Sequence, residues 1–95
     1  MSKLTRVITE RADGALNLAA HRILCAGSLS ELDRAETVFI AKWDTFHAIA
    51  MDYANGNADN TEVAKEMEEL SCILAKRWEE AKHNYNVSLK LMDWG

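Results

Sequence analysis

The sequence predicts an all-α protein that folds as an up-down-up bundle of three helices. The chain of 95 residues contains no proline and only four glycines, so few positions interrupt a helix. Apolar residues recur at steps of three and four, and no segment alternates as a half-buried strand does. At two interior places, residues that end one helix are followed directly by residues that start the next. The connections there are short, so neighbouring helices run antiparallel. We expect one helical domain over 1–95, with helices at about 2–26, 29–55 and 60–93.

The first predicted helix has the least regular apolar pattern. Gly14 lies in its middle and costs about 1 kcal/mol of helix stability relative to alanine, so we expect this helix to be the least stable. Gly27 is expected to end it in the left-handed conformation that closes many helices. Its predicted core face consists of Leu4, Val7, Ile8, Ala12, Ala15, Leu18, Ala19 and Ile23.

The second and third predicted helices begin at capping residues. Ser28 and Glu31 form an S-x-x-E capping box at the start of the second helix. Residues 55–57 are expected to end the second helix, and Asp59 and Glu62 are expected to cap the start of the third in the same way. The second core face consists of Leu32, Ala35, Phe39, Trp43, Phe46, Ala50 and Tyr53. The third consists of Val63, Met67, Leu70, Leu74, Trp78, Ala81, Tyr85, Leu89 and Met92.

The third helix is expected to overhang the bundle and to mediate self-association. It is about 50 Å long and the second about 40 Å, which leaves roughly residues 87–94 beyond the other helices. Apolar side chains that one bundle cannot cover usually mark a site of self-association or partner binding. The predicted partner-binding residues are Tyr85, Leu89, Met92 and Trp94. In the alternative, the first helix starts later or the end of the third folds back, and no overhang forms.

The short turns also predict which residues of neighbouring helices lie at the same level. Ideal helical rise places Arg11 beside Asp44, and Arg22 beside Asp33. We predict an ion pair between the first two helices at each level. An exposed pair contributes only about 0.2 to 1 kcal/mol, so such pairs would set the register more than the stability.

A second hypothesis places a small anionic ligand, such as a nucleotide, on the third helix. Aromatic faces, an amide and cations occur there in one stretch, and such groups can stack on a ligand and bind it. Because a single three-helix core has no spare volume, the ligand would lie between protomers. The predicted ligand-binding residues are Trp78, Lys82, His83, Tyr85, Asn86 and Lys90. In the structural alternative, the two aromatic residues belong only to the core.

Patterns for catalysis and metal binding are weak or absent. Two pairs, Asp44 with His47 and Glu80 with His83, each place a carboxylate and an imidazole on one helix face. The predicted register separates the pairs by roughly three turns or more, so we predict no metal site. No phosphate-binding loop, nucleophile elbow or zinc-protease motif occurs. We therefore expect no catalytic residues and no cofactor.

The cysteines and the absence of targeting patterns predict a cytoplasmic protein. The register separates Cys25 from Cys72 by about 20 Å, too far for a disulfide. We expect two reduced cysteines that are buried as small apolar residues. No apolar stretch approaches the roughly 18 residues of a membrane span, and the N-terminus lacks the order of a secretory signal.

The charge disfavours direct nucleic-acid binding. The formal net charge is −4, and the basic residues of the first helix are dispersed. Glutamates of the third helix could imitate phosphates, but lysines and an arginine interrupt their row. A solvated helix face with pairs four residues apart is the favoured interpretation.

These observations predict a small non-enzymatic interaction protein that self-associates, or binds a protein partner and inhibits or modulates it. In size, acidity and predicted helical form, the chain resembles the small accessory proteins with which phages and mobile elements block host machinery. This resemblance rests on size and fold class, with no shared motif. The alternative function is that of a homo-oligomer that sequesters a small anionic ligand between protomers.

Overall fold

A computed structural model describes residues 3–57 and 59–93, which form three helices and, over those residues, no strand. Helix α1 spans Lys3–Leu24, α2 spans Leu29–Gly56 and α3 spans Thr61–Asp93. All three pack against one another in a rod of 54 × 18 × 16 Å. The predicted all-helical bundle is therefore confirmed. Within the described residues, no helix is long and apolar enough to cross a membrane.

The turn between α1 and α2 is held by the expected capping residues. Ser28 Oγ accepts a hydrogen bond of 3.1 Å from the Glu31 N–H, and Glu31 Oε2 accepts one of 2.8 Å from the Gly27 N–H. The left-handed conformation predicted for Gly27 is wrong, because no described glycine has a positive φ. Gly27 instead donates its N–H to the capping glutamate, so α1 ends without a left-handed residue.

Asn60, rather than the predicted Asp59, caps the start of α3. The Asn60 side-chain oxygen accepts hydrogen bonds from the backbone N–H groups of Glu62 at 3.1 Å and Val63 at 3.4 Å. Asp59 is exposed. Asparagine and aspartate cap helices about equally well, so residue preference could not distinguish these neighbours.

The core face of α1 differs from the predicted one. Leu16 is fully buried and Leu18 is 53% exposed, whereas the sequence analysis placed Leu18 in the core. Five of the six residues from 15 to 20 are apolar, so their spacing does not show which side of α1 faces its neighbours. The buried residues of α1 are Ala12, Leu16, Ala19, Ala20 and Ile23.

Helix α1 packs more extensively against α3 than against α2. Three of its buried residues are alanines, and small side chains at a contact allow two helix axes to approach closely. Two buried polar side chains also join the helices. Asn84 Nδ2 donates to Ala20 O at 2.8 Å, and Ser88 Oγ donates to Ile23 O at 2.9 Å. These pairs lie 64 and 65 positions apart, so α1 and α3 run parallel, as an up-down-up bundle requires.

Arg77 forms the charged contact between α1 and α3. Its side chain is 15% exposed and donates to Asp13 of α1 at 2.6 Å and to Glu80 of its own helix at 2.7 Å. It also donates to the Asn17 side-chain oxygen at 3.1 Å. The hydrogen bond to Asp13 is the main cause of the raised pKa of Arg77, and burial opposes that rise. Arg77 therefore joins the two parallel helices through an ion pair and hydrogen bonds.

The two ion pairs predicted between α1 and α2 are wrong. Arg11, Arg22, Asp33 and Asp44 are all exposed, and none of them takes part in an ion pair among the described residues. Two long, exposed side chains gain too little free energy from each other to be held in one geometry. The charged contact of α1 with another helix is instead made with α3.

Candidate functional site

The C-terminal end of α3 meets the turn between α1 and α2, and together they form an apolar surface. Leu29 is 63% exposed and Leu91 is 66% exposed, the highest values among the large apolar residues that the structure describes. Leu24, 40% exposed, and Met92 line the same shallow cleft. We call Leu24, Leu29, Leu91 and Met92 the end patch. Among the side chains that the structure describes, none that lines this cleft is charged.

The bundle holds the end patch in place through its local structure. Because α1 ends at Leu24 and α2 begins at Leu29, an apolar side chain lies on each side of the turn. Ser88, which is 2% exposed, donates its hydroxyl to Ile23 O at 2.9 Å and approaches Leu24 O at 3.4 Å. Carbonyls at the end of a helix lack partners within it, so this hydroxyl both satisfies α1 and holds α3 beside the turn.

The predicted partner-binding residues lie mainly against the bundle. Tyr85, Leu89 and Met92 are half-buried and pack on the core, and Met92 also lines the cleft of the end patch. Trp94 lies outside the described residues. Helix α3 continues about one and a half turns beyond Ser88. The described overhang is shorter than the one predicted over 87–94, because the turn between α1 and α2 lies beside it.

A groove between α2 and α3 brings together four of the six predicted ligand-binding residues: Trp78, Lys82, Tyr85 and Asn86. The other residues that line this α2–α3 groove are Ile23, Glu36, Phe39, Ile40 and Ala81. The two remaining predicted residues, His83 and Lys90, are exposed and do not line it. The groove holds about 170 Å³, less than the roughly 300 to 1,000 Å³ of a typical ligand site. One chain therefore offers space for a single ring rather than for a whole nucleotide.

A row of aromatic side chains fixes one wall of the α2–α3 groove. The Trp78 ring centroid lies 5.9 Å from that of Phe39 and 4.8 Å from that of Trp43. Trp43 stacks on His47 with centroids 4.8 Å apart and donates its indole N–H to Leu74 O at 3.2 Å. Trp78 is therefore held on two sides, and its ring is part of the packing as well as of the groove.

The charges at the edge of the α2–α3 groove nearly cancel. Lys82 Nζ lies 3.0 Å from Glu79 Oε1, so the cation is already paired. Glu36 lines the opposite side of the groove and contributes a negative charge. An anion would meet a carboxylate and a neutralised cation there. The groove therefore favours a flat apolar group over a strongly charged one.

Metal-binding geometry does not occur among the described residues, because no group of three or more His, Cys, Asp or Glu side chains comes together. In the first of the two carboxylate–imidazole pairs noted in the sequence, His47 stacks on Trp43. In the second, Glu80 accepts a hydrogen bond from Arg77. These contacts give both residues a role in the packing of the bundle.

The cysteines are free and exposed, so the prediction that they are buried is wrong. Each occupies a helix or turn position that faces away from the core.

In comparisons with known proteins, the chain matches no family model, no curated protein and no solved structure.

Proposed function

We propose that the protein is a non-enzymatic interaction module that self-associates through the end patch, with a second copy of the chain as the partner. The observation that carries this proposal is the exposure of Leu29 and Leu91 at one end of the rod. Large apolar side chains that lie together at a surface usually mark a protein-binding site. The short overhang of α3 contributes Leu91 to this surface and the turn contributes Leu29.

The charge of the chain limits where two copies can meet. The chain carries a net charge of −4, so two copies repel each other over much of their surface. The residues that the structure places around the cleft of the end patch are all uncharged. Two copies related by a twofold axis would bring the same apolar residues together, which is the commonest arrangement of a homodimer. The end patch is the surface at which two acidic copies can meet with little repulsion.

Inhibition or modulation of another protein is the proposed consequence of this binding surface. An interaction module that does not act as an enzyme would affect a partner by covering part of its surface. A different protein that binds the end patch would compete with the second copy, so the variants below would weaken both interactions.

The double variant Leu29→Glu, Leu91→Glu is expected to be a monomer, of about 10.7 kDa, where the wild-type protein is assembled. Each interface would then contain four carboxylates in apolar surroundings, and burial of unpaired charges is strongly unfavourable. The measurement is light scattering coupled to size exclusion over a range of protein concentrations. Far-UV circular dichroism should show unchanged helix content, because both side chains are exposed.

Met51→Glu is the matched control for this experiment. Met51 is 53% exposed and lies on α2 towards its C-terminal end, remote from the end patch. The control should keep the mass of the wild-type assembly. A wild-type protein that is monomeric at all concentrations, or a double variant that keeps the wild-type mass, would contradict self-association through the end patch.

Sequestration of a small ligand is a second candidate function, and the α2–α3 groove is the observation that favours it. The groove gathers Trp78, Lys82, Tyr85 and Asn86, four of the six residues predicted to bind a ligand. Its volume of about 170 Å³ admits a base or another single ring. A nucleotide would therefore need further contacts from a second protomer.

Thermal unfolding in the presence of a panel of nucleotides tests the ligand hypothesis. A nucleotide that binds only the folded protein adds about 2.7 kcal/mol of stability at a hundredfold excess over its dissociation constant, so the midpoint must rise. Asn86→Ala should reduce this rise, because Asn86 lines the groove. Lys90→Gln should not, because Lys90 does not line the groove. If no nucleotide raises the midpoint of the wild-type protein, this candidate function is wrong.

A further inference from the structure

Cys25 and His21 form a contact between a thiol and an imidazole at the end of α1. Cys25 Sγ lies 3.4 Å from His21 Nε2, and both residues are exposed. The Cys25 backbone N–H donates to His21 O at 3.1 Å, so the residues occupy successive turns on one face. An imidazole at this distance can accept the thiol proton and produce the thiolate, which is the nucleophilic form of cysteine.

Cys25 also lines a groove between α1 and α2, together with Arg22 and Arg34. Neither arginine takes part in an ion pair or hydrogen bond within the described part of the chain. The carboxylate in this groove, that of Glu31, accepts a hydrogen bond from the Gly27 N–H at 2.8 Å. The groove that Cys25 lines therefore also has two arginines whose side chains are available to an incoming anion.

We propose that Cys25 is a site of thiol–disulfide exchange with small disulfides that carry carboxylates, of which oxidised glutathione is the simplest probe. His21 is the base, and Arg22 and Arg34 bind the carboxylates of the reagent. Guanidinium groups suit this role because they bind carboxylates with two parallel hydrogen bonds. This inference goes beyond the proposed function and does not depend on it.

The exchange balances without any further reactant. The Cys25 thiol passes its proton to His21 Nε2, and the thiolate attacks one sulfur of the disulfide. A new S–S bond forms at Cys25 as the S–S bond of the reagent breaks, and the electron pair leaves on the other sulfur. That leaving thiolate takes the proton from the His21 imidazolium. Cys25 is oxidised to a mixed disulfide, and half of the reagent is reduced to a free thiol.

Cys72 provides a control within the same chain. It is exposed on α3, like Cys25 at the end of α1. Its side chain takes part in no hydrogen bond or ion pair in the described part of the chain, and it lines none of the three grooves described above. Its reactivity therefore measures what exposure gives without a contacting base.

The test compares Cys72→Ser, which keeps only Cys25, with Cys25→Ser, which keeps only Cys72. Each full-length protein is treated with oxidised glutathione, and intact-mass spectrometry follows the mixed disulfide over time. We expect Cys25 to react about tenfold faster than Cys72, since thiolate fraction and access set the rate. His21→Gln in the Cys25-only protein should lower its rate and leave the contribution of the two arginines. In denaturant, the two cysteines should react at similar rates.

Replacement of both arginines, Arg22→Gln with Arg34→Gln, tests the class of reagent. The rate with oxidised glutathione should fall, whereas the rate with the uncharged hydroxyethyl disulfide should not change. Equal rates for Cys25 and Cys72 in the folded protein, or no effect of His21→Gln, would overturn the assignment of the site. An equal fall with both reagents would overturn the role of the arginines.

Discussion

Phe39→Ala is expected to lower the free energy of unfolding by about 3 to 5 kcal/mol, because it leaves a cavity where a large ring was enclosed. The Phe39 side chain is 1% exposed, and its ring centroid lies 5.9 Å from that of Trp78. A domain of this size has only about 5 to 15 kcal/mol of stability in total, so the loss should be visible at once. Denaturant titration followed by circular dichroism gives the change, provided that the slope of the transition stays constant.

Ile40→Ala is the control for that experiment, since Ile40 follows Phe39 on α2 but is 37% exposed. A partly exposed side chain leaves no enclosed cavity, so its loss should cost less than about 1 kcal/mol. Equal losses for the two variants would mean that Phe39 does not occupy the centre of the packing between α2 and α3.

Leu16→Ala is expected to lower the free energy of unfolding by about 2 to 5 kcal/mol, as large-to-small changes in a closed core do. Leu16 is completely buried between α1 and its neighbours. Leu16 and Ile23 are the two largest fully buried side chains that the structure describes on α1. Thermal or denaturant unfolding measures the effect.

Leu18→Ala makes the same chemical change on the same helix at a side chain that is 53% exposed. Both variants therefore change helix propensity equally, and Leu18→Ala is expected to change the free energy of unfolding by less than about 0.5 kcal/mol. A larger cost at Leu18 than at Leu16 would show that α1 is rotated as the sequence analysis expected, with Leu18 in the core.

The three helices could be predicted because their signals are local. The capping interactions of Ser28 and Glu31 join residues three positions apart, and the apolar spacing of α2 and α3 contains few ambiguous positions. The rotation of α1 could not be predicted in this way. It depends on which side of an almost continuously apolar segment meets α3, and the alanines of α1 that are buried there carry little pattern of their own.

Some residues of the candidate sites could be predicted from the sequence, and others depend on how the helices pack. Leu91 belongs to the apolar end of α3 and was visible as part of the predicted overhang. Leu24 and Leu29 were missed, although each borders the turn, where an apolar residue has no neighbouring helix to cover it. The contact of His21 with Cys25 could have been found, since a spacing of four places two residues on one helix face. Arg34 reaches the same groove only through the packing of α2 on α1.

The parallel arrangement of α1 and α3 has a consequence for how the protein can be tethered. With an odd number of helices, α1 begins towards one end of the rod and α3 finishes at the other. The register of Ala20 with Asn84 puts the start of α1 roughly 35 Å along the axis from Leu91. A fluorophore or surface anchor joined ahead of α1 therefore leaves the end patch open, whereas one joined behind α3 lies beside it.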